Sequence, residues 1–393
     1  MTTPNNPLPF WFRKMARKMG VFFKLAVCSP LGVASFVPAG HHHATALRRI
    51  AAGGPPTRTV SQAATTVVSE AEFSRLVAEA VKTNWGDEGT ARVLSAWKRL
   101  TDGEEYEGAV THGDSEHELM VQRCSSFVEG LELKPFHDAK EHSWCRALEA
   151  EWTTVRDELK SRLEGDEPGS VLQTKGNNVW AGAKNATSAK AYGGGWKTLG
   201  LCDRSVWDEA NTQLFPRTCE LIHRAGVPVV EAFFAKMPEK SKIGAHSDMV
   251  NFCLTSHLGI DVPEGECWIE VGDQKREWRN GETMLFDTSV LHRAENAADR
   301  TRYILMMRVW HPDLTEVERQ AIQFVFDCLD EPDIVVGASP ADLFSYTYLR
   351  ENVEKQSEMM WRSALPPGEN EQPKKDMKQK KVKGGKKQKQ AQQ

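Results

Sequence analysis

Residues 251–292, NFCLTSHLGIDVPEGECWIEVGDQKREWRNGETMLFDTSVLH, decide the fold class. Three short runs in this stretch are rich in apolar, β-branched or aromatic residues, namely Asn251–Gly259, Cys267–Val271 and Thr283–Phe286. Clusters that contain Pro, Gly and Asn separate these runs and are typical of turns. Short runs of this composition between turn signals predict β-strands.

Two similar runs lie outside this stretch, Val227–Met237 before it and Arg302–Val309 after it. Five or more short strands at close spacing predict an antiparallel sandwich or barrel. No internal repeat and no glycine-rich phosphate-binding motif occurs, so the sequence gives little support to a nucleotide-binding fold.

Helical periodicity precedes the predicted strands. Ser69 and Glu72 form a possible capping box, and helical spacing of apolar residues continues through Ala91–Leu100 and Glu118–Leu131. The clearest helix is predicted over Ser143–Leu163. Its apolar stripe recurs at intervals of three and four residues and comprises Trp144, Leu148, Trp152, Val155 and Leu159. The chain is therefore predicted to be α+β.

Composition excludes several classes of protein. The 393 residues are 40% hydrophobic and 26% charged, which excludes a wholly disordered chain and a polytopic membrane protein. The net charge of −4 excludes nucleic-acid binding through overall charge, and no specific nucleic-acid partner is expected. The eight cysteines are scattered without a CxxC pair, which predicts buried thiols in a reducing compartment.

The N-terminal residues are typical of a targeting segment. Residues 1–60 are basic and contain no acidic residue. The apolar run Val21–Val37 is too short and too interrupted for a confident membrane span. We therefore expect a cleavable transit peptide that directs the protein to a plastid or, nearly as well, to a mitochondrion. A secretory signal ranks third, and the alternative is a disordered arm without an address on a cytoplasmic protein.

The candidate chemistry is concentrated between His246 and Arg302. Residues i and i+2 of a strand point to the same face, so His246 and Asp248 could reach one metal ion together. With the distant His292 they have the sequence form of a two-histidine, one-carboxylate site for non-haem iron. Arg302, in a neighbouring strand-like run, could hold a dicarboxylate by paired hydrogen bonds. The alternative is that these histidines are ordinary polar residues at strand ends.

Six motifs in order carry a family resemblance: IGAHSD at 243–248, SHLGI at 256–260, WRNGE at 278–282, LFDTSVLH at 285–292, RYIL at 302–305 and VWHP at 309–312. This series resembles the aspartyl/asparaginyl β-hydroxylase family of Fe(II)/2-oxoglutarate dioxygenases. The resemblance is strong over residues 227–315. It implies a double-stranded β-helix, or jelly-roll, catalytic domain behind a helical N-terminal region.

The resemblance also implies roles for single residues. His246, Asp248 and His292 become iron ligands, and Arg302 and His257 become contacts of 2-oxoglutarate, with O2 as the other cosubstrate. His257 could instead be a satisfied core histidine, and Asp287 a turn cap or a support for His292. Animal members of the family have glycine at the position of Asp248. By this residue the chain resembles instead the bacterial branch, which modifies lipids and small molecules.

Two departures from the family pattern concern the cosubstrate. Thr255 stands where the family usually has an arginine, and Ala235 stands where it has a hydroxyl residue. Thr255 remains a candidate cosubstrate contact, and 2-oxoglutarate binding is expected to be weaker or rearranged.

The resulting prediction is a dioxygenase that hydroxylates a C–H bond of a protein Asp or Asn side chain, a lipid or a small molecule. The competing class is a jelly-roll module that binds a ligand without turnover. The predicted units are a targeting segment (1–60), a helical extension (61–131), the dioxygenase domain (132–330), a C-terminal helical extension (331–365) and a disordered Lys/Gln-rich tail (366–393). The basic tail could contact polyanions.

Overall fold

A computed structural model of the chain describes residues 68–110, 117–163, 180–182 and 195–367. The predicted targeting segment and nearly all of the predicted tail lie outside these residues, and the division into units stays a prediction. The helices described are α1 (Glu70–Trp85), α2 (Asp87–Asp102), α3 (Ser143–Ala150), α4 (Trp152–Leu163), α5 (Asn211–Leu214), α6 (Pro216–Ala225), α7 (Glu316–Asp330) and α8 (Pro340–Ala364).

The strands described fall mostly between α4 and α7. They are β1 (Tyr106–Ala109), β2 (Val121–Ser126), β3 (Phe136–His137), β4 (Ala181–Gly182), β5 (Lys197–Asp203), β6 (Val206–Trp207), β7 (Val229–Met237), β8 (Ser241–His246), β9 (Met249–Val250), β10 (Cys253–Asp261), β11 (Cys267–Val271), β12 (Gln274–Glu277), β13 (Thr283–Phe286), β14 (His292–Asn296) and β15 (Arg302–Trp310).

Two antiparallel sheets build the strand-rich part. The larger sheet has the order β3-β13-β10-β15-β7-β5-β4, and the smaller has the order β12-β11-β14-β8. Side chains from both sheets share one interior cluster, for example Phe286 and Ile304 of the larger sheet with Ile269 of the smaller. The predicted jelly roll is confirmed, because two facing antiparallel sheets enclose a common interior.

The helices cover the outer face of the larger sheet. Side chains alternate between the two faces of a strand, and on β10 Leu254 and Leu258 point outward. They join the cluster that includes Leu148 of α3, Leu159 of α4 and Trp361 of α8. Helices α1, α2 and α7 form a separate cluster with residues beside β9 and β10. The larger sheet is therefore buried on both faces, which explains its almost continuous apolar strands.

Most of the sequence predictions of secondary structure are confirmed. Strands β11 and β13 match the predicted bounds, and the other predicted strands shift by two residues or fewer at either end. The predicted helix over Glu118–Leu131 is wrong, because this segment contains strand β2. The predicted helix over Ser143–Leu163 is two helices that meet at Glu151.

Gly259 of β10 permits a close approach between backbones. A Cβ atom at this position would lie 2.0 Å from the carbonyl oxygen of Arg279. We expect Gly259→Ala to lower the free energy of unfolding by about 2–3 kcal/mol, because overpacking forces backbone to move. Urea unfolding of the variant would measure this loss. As a control, Gly103→Ala adds a Cβ that meets no atom within 4 Å, although its positive φ of 78° adds local strain.

The buried His137 of β3 is expected to make the stability of the protein depend on pH. Burial, together with the nearby His311, lowers the pKa of His137 from 6.5 to about 4. Between these values the unfolded chain binds more protons than the folded chain, so stability is lost as pH falls from about 6.5 to about 4. We expect His137 to contribute a slope of about 1 kcal/mol per pH unit. Urea midpoints between pH 7 and 4.5 should therefore vary less in His137→Gln, and an unchanged slope would contradict the prediction.

Two further observations concern the whole described part of the chain. None of its helices combines the length and the apolar composition that a bilayer crossing requires. The seven cysteines within it are all free and buried, as the sequence predicted.

Candidate metal centre

Two histidines meet across the smaller sheet. His246 is the last residue of β8, and His292 is the first residue of β14. These two residues are register partners in the antiparallel pair of strands. Their ring centroids lie 4.2 Å apart. The sequence separates them by 46 positions, and the strand register alone brings them together.

The hydrogen bonds of both histidines fix their orientation. Nδ1 of His246 lies 2.8 Å from the carbonyl oxygen of Gly244, and Nδ1 of His292 lies 2.9 Å from that of Val290. A carbonyl oxygen only accepts, so in each ring the Nδ1–H donates. Nε2 is then the nitrogen through which each ring would bind a metal, as is usual for metal-binding histidines. Burial, followed by the nearby His246, lowers the pKa of His292 to about 4, so His292 is neutral at pH 7.

Asp248 completes the cluster by a route that differs from the prediction. Strand β8 ends at His246, so Asp248 is not on the same strand face. The chain turns, and the backbone N–H of Asp248 donates to the carbonyl oxygen of Thr288 at 2.8 Å. One ligand atom from each of His246, Asp248 and His292 lies within 4.8 Å of the others. The three predicted ligands are therefore brought together.

The turn that carries Asp248 has a constrained backbone. Met249 has φ of +67°, a conformation that non-glycine residues adopt rarely and often at functional sites. The hydroxyl of Ser247 donates to the carbonyl oxygen of Arg123, at 2.6 Å, and accepts from the N–H of Met249, at 2.9 Å. Strand β2 thus anchors the turn, and the anchored turn places Asp248 beside the two histidines.

Asp248 is charged although its side chain is only 2% exposed. Burial opposes its ionisation, but the Arg308 guanidinium, with smaller effects from both histidines, lowers the pKa of its carboxyl below the usual value. Arg308 donates a hydrogen bond to Oδ2 of Asp248. The cluster therefore offers two imidazole nitrogens and one carboxylate, a donor set that suits a divalent transition metal.

Arg302 is a buried cation in the same cleft. Its guanidinium carbon lies 4.3 Å from the centroid of the Trp278 ring. Its Nε has no hydrogen-bond partner among the described residues. Burial lowers the pKa of Arg302 to about 10, so the group is still charged at pH 7. A buried charge of this kind normally has an ionic partner, and the free donor faces a cleft that also contains the metal cluster.

His257 presents a second free donor to this cleft. The indole N–H of Trp278 donates to Nδ1 of His257 at 3.2 Å. An indole can only donate, so Nδ1 accepts and the neutral ring carries its proton on Nε2. Burial, then Arg302, lowers the pKa of His257 well below its usual value. Its Nε2 has no partner among the described residues. Of the two ring nitrogens of His257, the core therefore provides a hydrogen-bond partner for Nδ1 only.

Comparison with known proteins agrees with this geometry. The profile of the Aspartyl/Asparaginyl beta-hydroxylase family matches residues 149–312, which include every residue of the cluster and the cleft named above. Residues 149–312 therefore match the aspartyl/asparaginyl β-hydroxylase family. The resemblance predicted from the sequence is confirmed by this match.

Relatives and a solved structure extend this comparison. The chain is 25% identical to the Aspartyl/asparaginyl beta-hydroxylase of Mus musculus, over 51% of this chain and 26% of that protein. It is 27% identical to the Ornithine lipid ester-linked acyl 2-hydroxylase of Rhizobium tropici, over 46% of this chain and 65% of that protein. Each match covers less than two thirds of the relative. A cupin domain of a transcriptional regulator from Enterobacter cloacae aligns with 30% of this chain and 98% of its own, with 11% identity and a TM-score of 0.22.

The two departures from the β-hydroxylase pattern have different surroundings. Thr255 is fully buried, and its Oγ1 lies 3.3 Å from that of Thr288, which lines the cleft. A contact between Thr255 and a cosubstrate stays a prediction. Ala235 is buried on β7 in register with Ile304 and brings no polar atom to the interior.

Two further residues of the region that matches the family profile, Asp287 and Arg308, bear on the site. Asp287 caps the turn that leads to His292, since its Oδ1 accepts from the N–H of Ser289 at 2.8 Å. Arg308 was not predicted from the sequence. Its partner Asp248 is 60 positions away, and the sequence around Arg308 gives no sign of which carboxylate it meets.

Proposed function

We propose that this β-hydroxylase domain is an Fe(II)- and 2-oxoglutarate-dependent dioxygenase that hydroxylates an unactivated C–H bond. One observation carries the proposal. A metal-ligand cluster and a buried cation with a free donor, Arg302, line the same cleft. A cosubstrate with one end suited to a metal and a carboxylate at the other would satisfy both.

The donor set of the cluster fits Fe(II). Two neutral imidazoles and one carboxylate form the facial triad of non-haem iron oxygenases, which leaves open positions for other ligands. His246, Asp248 and His292 would hold the metal. When bound, Fe(II) would activate O2 while 2-oxoglutarate loses CO2 and becomes succinate.

The chain's own residues account for cosubstrate binding. Arg302 would donate paired hydrogen bonds to one carboxylate, and the Nε2–H of His257 would donate another. Both donors lie among apolar walls formed by residues such as Ile269, Ile304 and Met306. These walls exclude water, which strengthens charge-assisted hydrogen bonds in the cleft.

The names of the relatives supply two substrate classes. The mouse protein is named for aspartyl and asparaginyl substrates, and the Rhizobium protein for the acyl chain of a lipid. Asp248 supports the lipid or small-molecule class, since the sequence resembles the bacterial branch at this position. We propose that both classes be tested with the same protein.

The test measures succinate formed from 2-oxoglutarate by the purified full chain with Fe(II) and ascorbate under air. Peptides that contain Asp or Asn, and lipids that carry fatty-acyl chains, are then added in separate reactions. Each is analysed by mass spectrometry for the gain of one oxygen atom. Succinate formation that rises with one substrate class supports the proposal. Binding of 2-oxoglutarate without succinate in either screen would favour the jelly-roll binding module instead.

A further inference from the structure

Three charged side chains are buried behind the candidate metal centre. The relative exposures of the Arg308, Asp248 and Glu231 side chains are 5%, 2% and 9%. Arg308 donates to Oδ2 of Asp248, and its Nε lies 3.6 Å from Oε2 of Glu231. Charges that are removed from water to this extent are costly unless they are paired. Stabilisation of the core therefore does not explain why three charged side chains are buried at this place.

The sheet, rather than a loop, fixes the position of Arg308. Arg308 of β15 is the register partner of Glu231 on β7 and of Thr255 on β10. Alternation along β15 places Arg302 and Arg308 on the same face, toward the interior between the two sheets. Arg308 is thus held by neighbouring strands on both sides, and Arg302 by its register partner Met237 on β7. Arg302 has a free donor, whereas Arg308 is committed to a carboxylate of the metal cluster.

The committed oxygen of Asp248 differs from the oxygen that faces the histidines. Oδ2 accepts from Arg308, while Oδ1 lies 3.9 Å from Nε2 of His246. A carboxylate whose second oxygen is held in this way favours binding a metal through the other oxygen. A carboxylate with two free oxygens could bind through both and occupy one more position on the metal.

We infer that Arg308 is the positioning residue of Asp248, which holds Oδ2 so that the carboxylate binds the metal through Oδ1 alone. This inference rests on the proposed function in taking Asp248 as a metal ligand. In the metal-free protein the guanidinium also supplies the positive charge that balances Asp248. Arg308 and a metal on Oδ1 would be two cations on one carboxylate, so the guanidinium positions Asp248 and also repels the metal, and this repulsion is what the experiment measures.

The first measurement is a double-mutant cycle on the melting temperature of the metal-free full chain. Asp248→Gly and Arg308→Met should each lower it by roughly 5–15 °C, because each breaks the buried Arg308–Asp248 pair and leaves one of its two charges in place. The double variant should melt at a higher temperature than additive losses would give, because it removes both charges of the pair. Arg300→Met is the matched control, since Arg300 forms an exposed ion pair with Asp261 and should shift the melting temperature little.

The second measurement is a Co(II) titration followed by visible absorption. Arg308→Met should bind Co(II) about tenfold more tightly than wild type, because a cation that repels the metal is gone and Oδ2 is released. Arg308→Lys keeps the charge and should remain within a few-fold of wild type. A merely structural role for Arg308 predicts the reverse, with weaker Co(II) binding in any variant that disturbs the core. If Arg308→Met does not fold, Glu231→Gln/Arg308→Met removes the second buried carboxylate and provides the same comparison.

The outcomes separate this inference from the proposed function. Additive melting shifts, or Co(II) binding by Arg308→Met that is no tighter than wild type, would overturn the role of Arg308. Tighter Co(II) binding together with no succinate formation by wild type would leave that role intact and overturn only the dioxygenase proposal. Absence of Co(II) binding by wild type would overturn both.

Discussion

Replacement of His246 or His292 by alanine is expected to abolish Fe(II) binding while the domain stays folded. Each variant removes one of the two nitrogen donors and leaves a single imidazole with Asp248. A site left with two protein ligands in place of three holds a divalent transition metal far more weakly, since affinity depends on the number and type of ligands. The pairing of β8 with β14 uses main-chain groups, and these remain in both variants. Anaerobic calorimetric titration with Fe(II) measures the loss, and far-ultraviolet circular dichroism checks the fold.

A matched histidine outside the cluster provides the control. His223 lies on α6, and its ring packs against Trp361 of α8 rather than against the cleft. His223→Ala should therefore bind Fe(II) as wild type does. Wild-type affinity in either His246→Ala or His292→Ala would show that the three residues do not form the metal centre.

Of the strands that were predicted from the sequence, four belong to the larger sheet, and β11 belongs to the smaller sheet. Strands β10 and β15 are buried along almost their whole length, because the interior between the sheets lies on one side and helices lie on the other. Strands β8 and β12 were not predicted. Their exposed polar residues, as in Gln274–Glu277, give neither an apolar run nor a clear alternation. Such strands form because a neighbouring strand offers hydrogen bonds, and the sequence does not show that neighbour.

The error over Glu118–Leu131 has a physical cause. Apolar residues in this segment recur at intervals compatible with a helix, but β2 pairs with β1 on one side and with β9 on the other. The pairing with β9 is parallel and joins residues more than 120 positions apart. Long-range pairing of this kind overrides a local pattern.

The candidate site shows the same division between local and long-range information. His246, Asp248 and His292 could be predicted because the motifs around them are distinctive, although the reason given for Asp248 was wrong. A turn fixed by Thr288 and Ser247 places Asp248, and not a shared strand face. The partner of Arg308 could not be predicted, since only the register of β15 with β7 and β10 brings it to the metal centre.

Arg302→Lys is expected to raise the KM for 2-oxoglutarate by about 10- to 150-fold, with little change in Fe(II) affinity. The face of the guanidinium packs on Trp278, which leaves N–H groups at its edge for a carboxylate. An ammonium lacks this planar fork and cannot donate two parallel hydrogen bonds to one carboxylate. The loss of a charge-assisted contact is worth roughly 1.5–3 kcal/mol, which gives the expected range. Neither Ala235 nor Thr255 supplies a second cation, so the effect should lie toward the upper end.

The control and the contrary result for Arg302→Lys use the same assay. Arg300→Lys alters an exposed arginine that is paired with Asp261, and it should leave the KM for 2-oxoglutarate unchanged. Because Arg302 is not a metal ligand, calorimetric titration of Arg302→Lys with Fe(II) should match wild type. An unchanged KM in Arg302→Lys with an intact metal centre would mean that the dicarboxylate binds elsewhere. The free donors of Arg302 and His257 would then serve a different anion, and 2-oxoglutarate would not be the cosubstrate of this cleft.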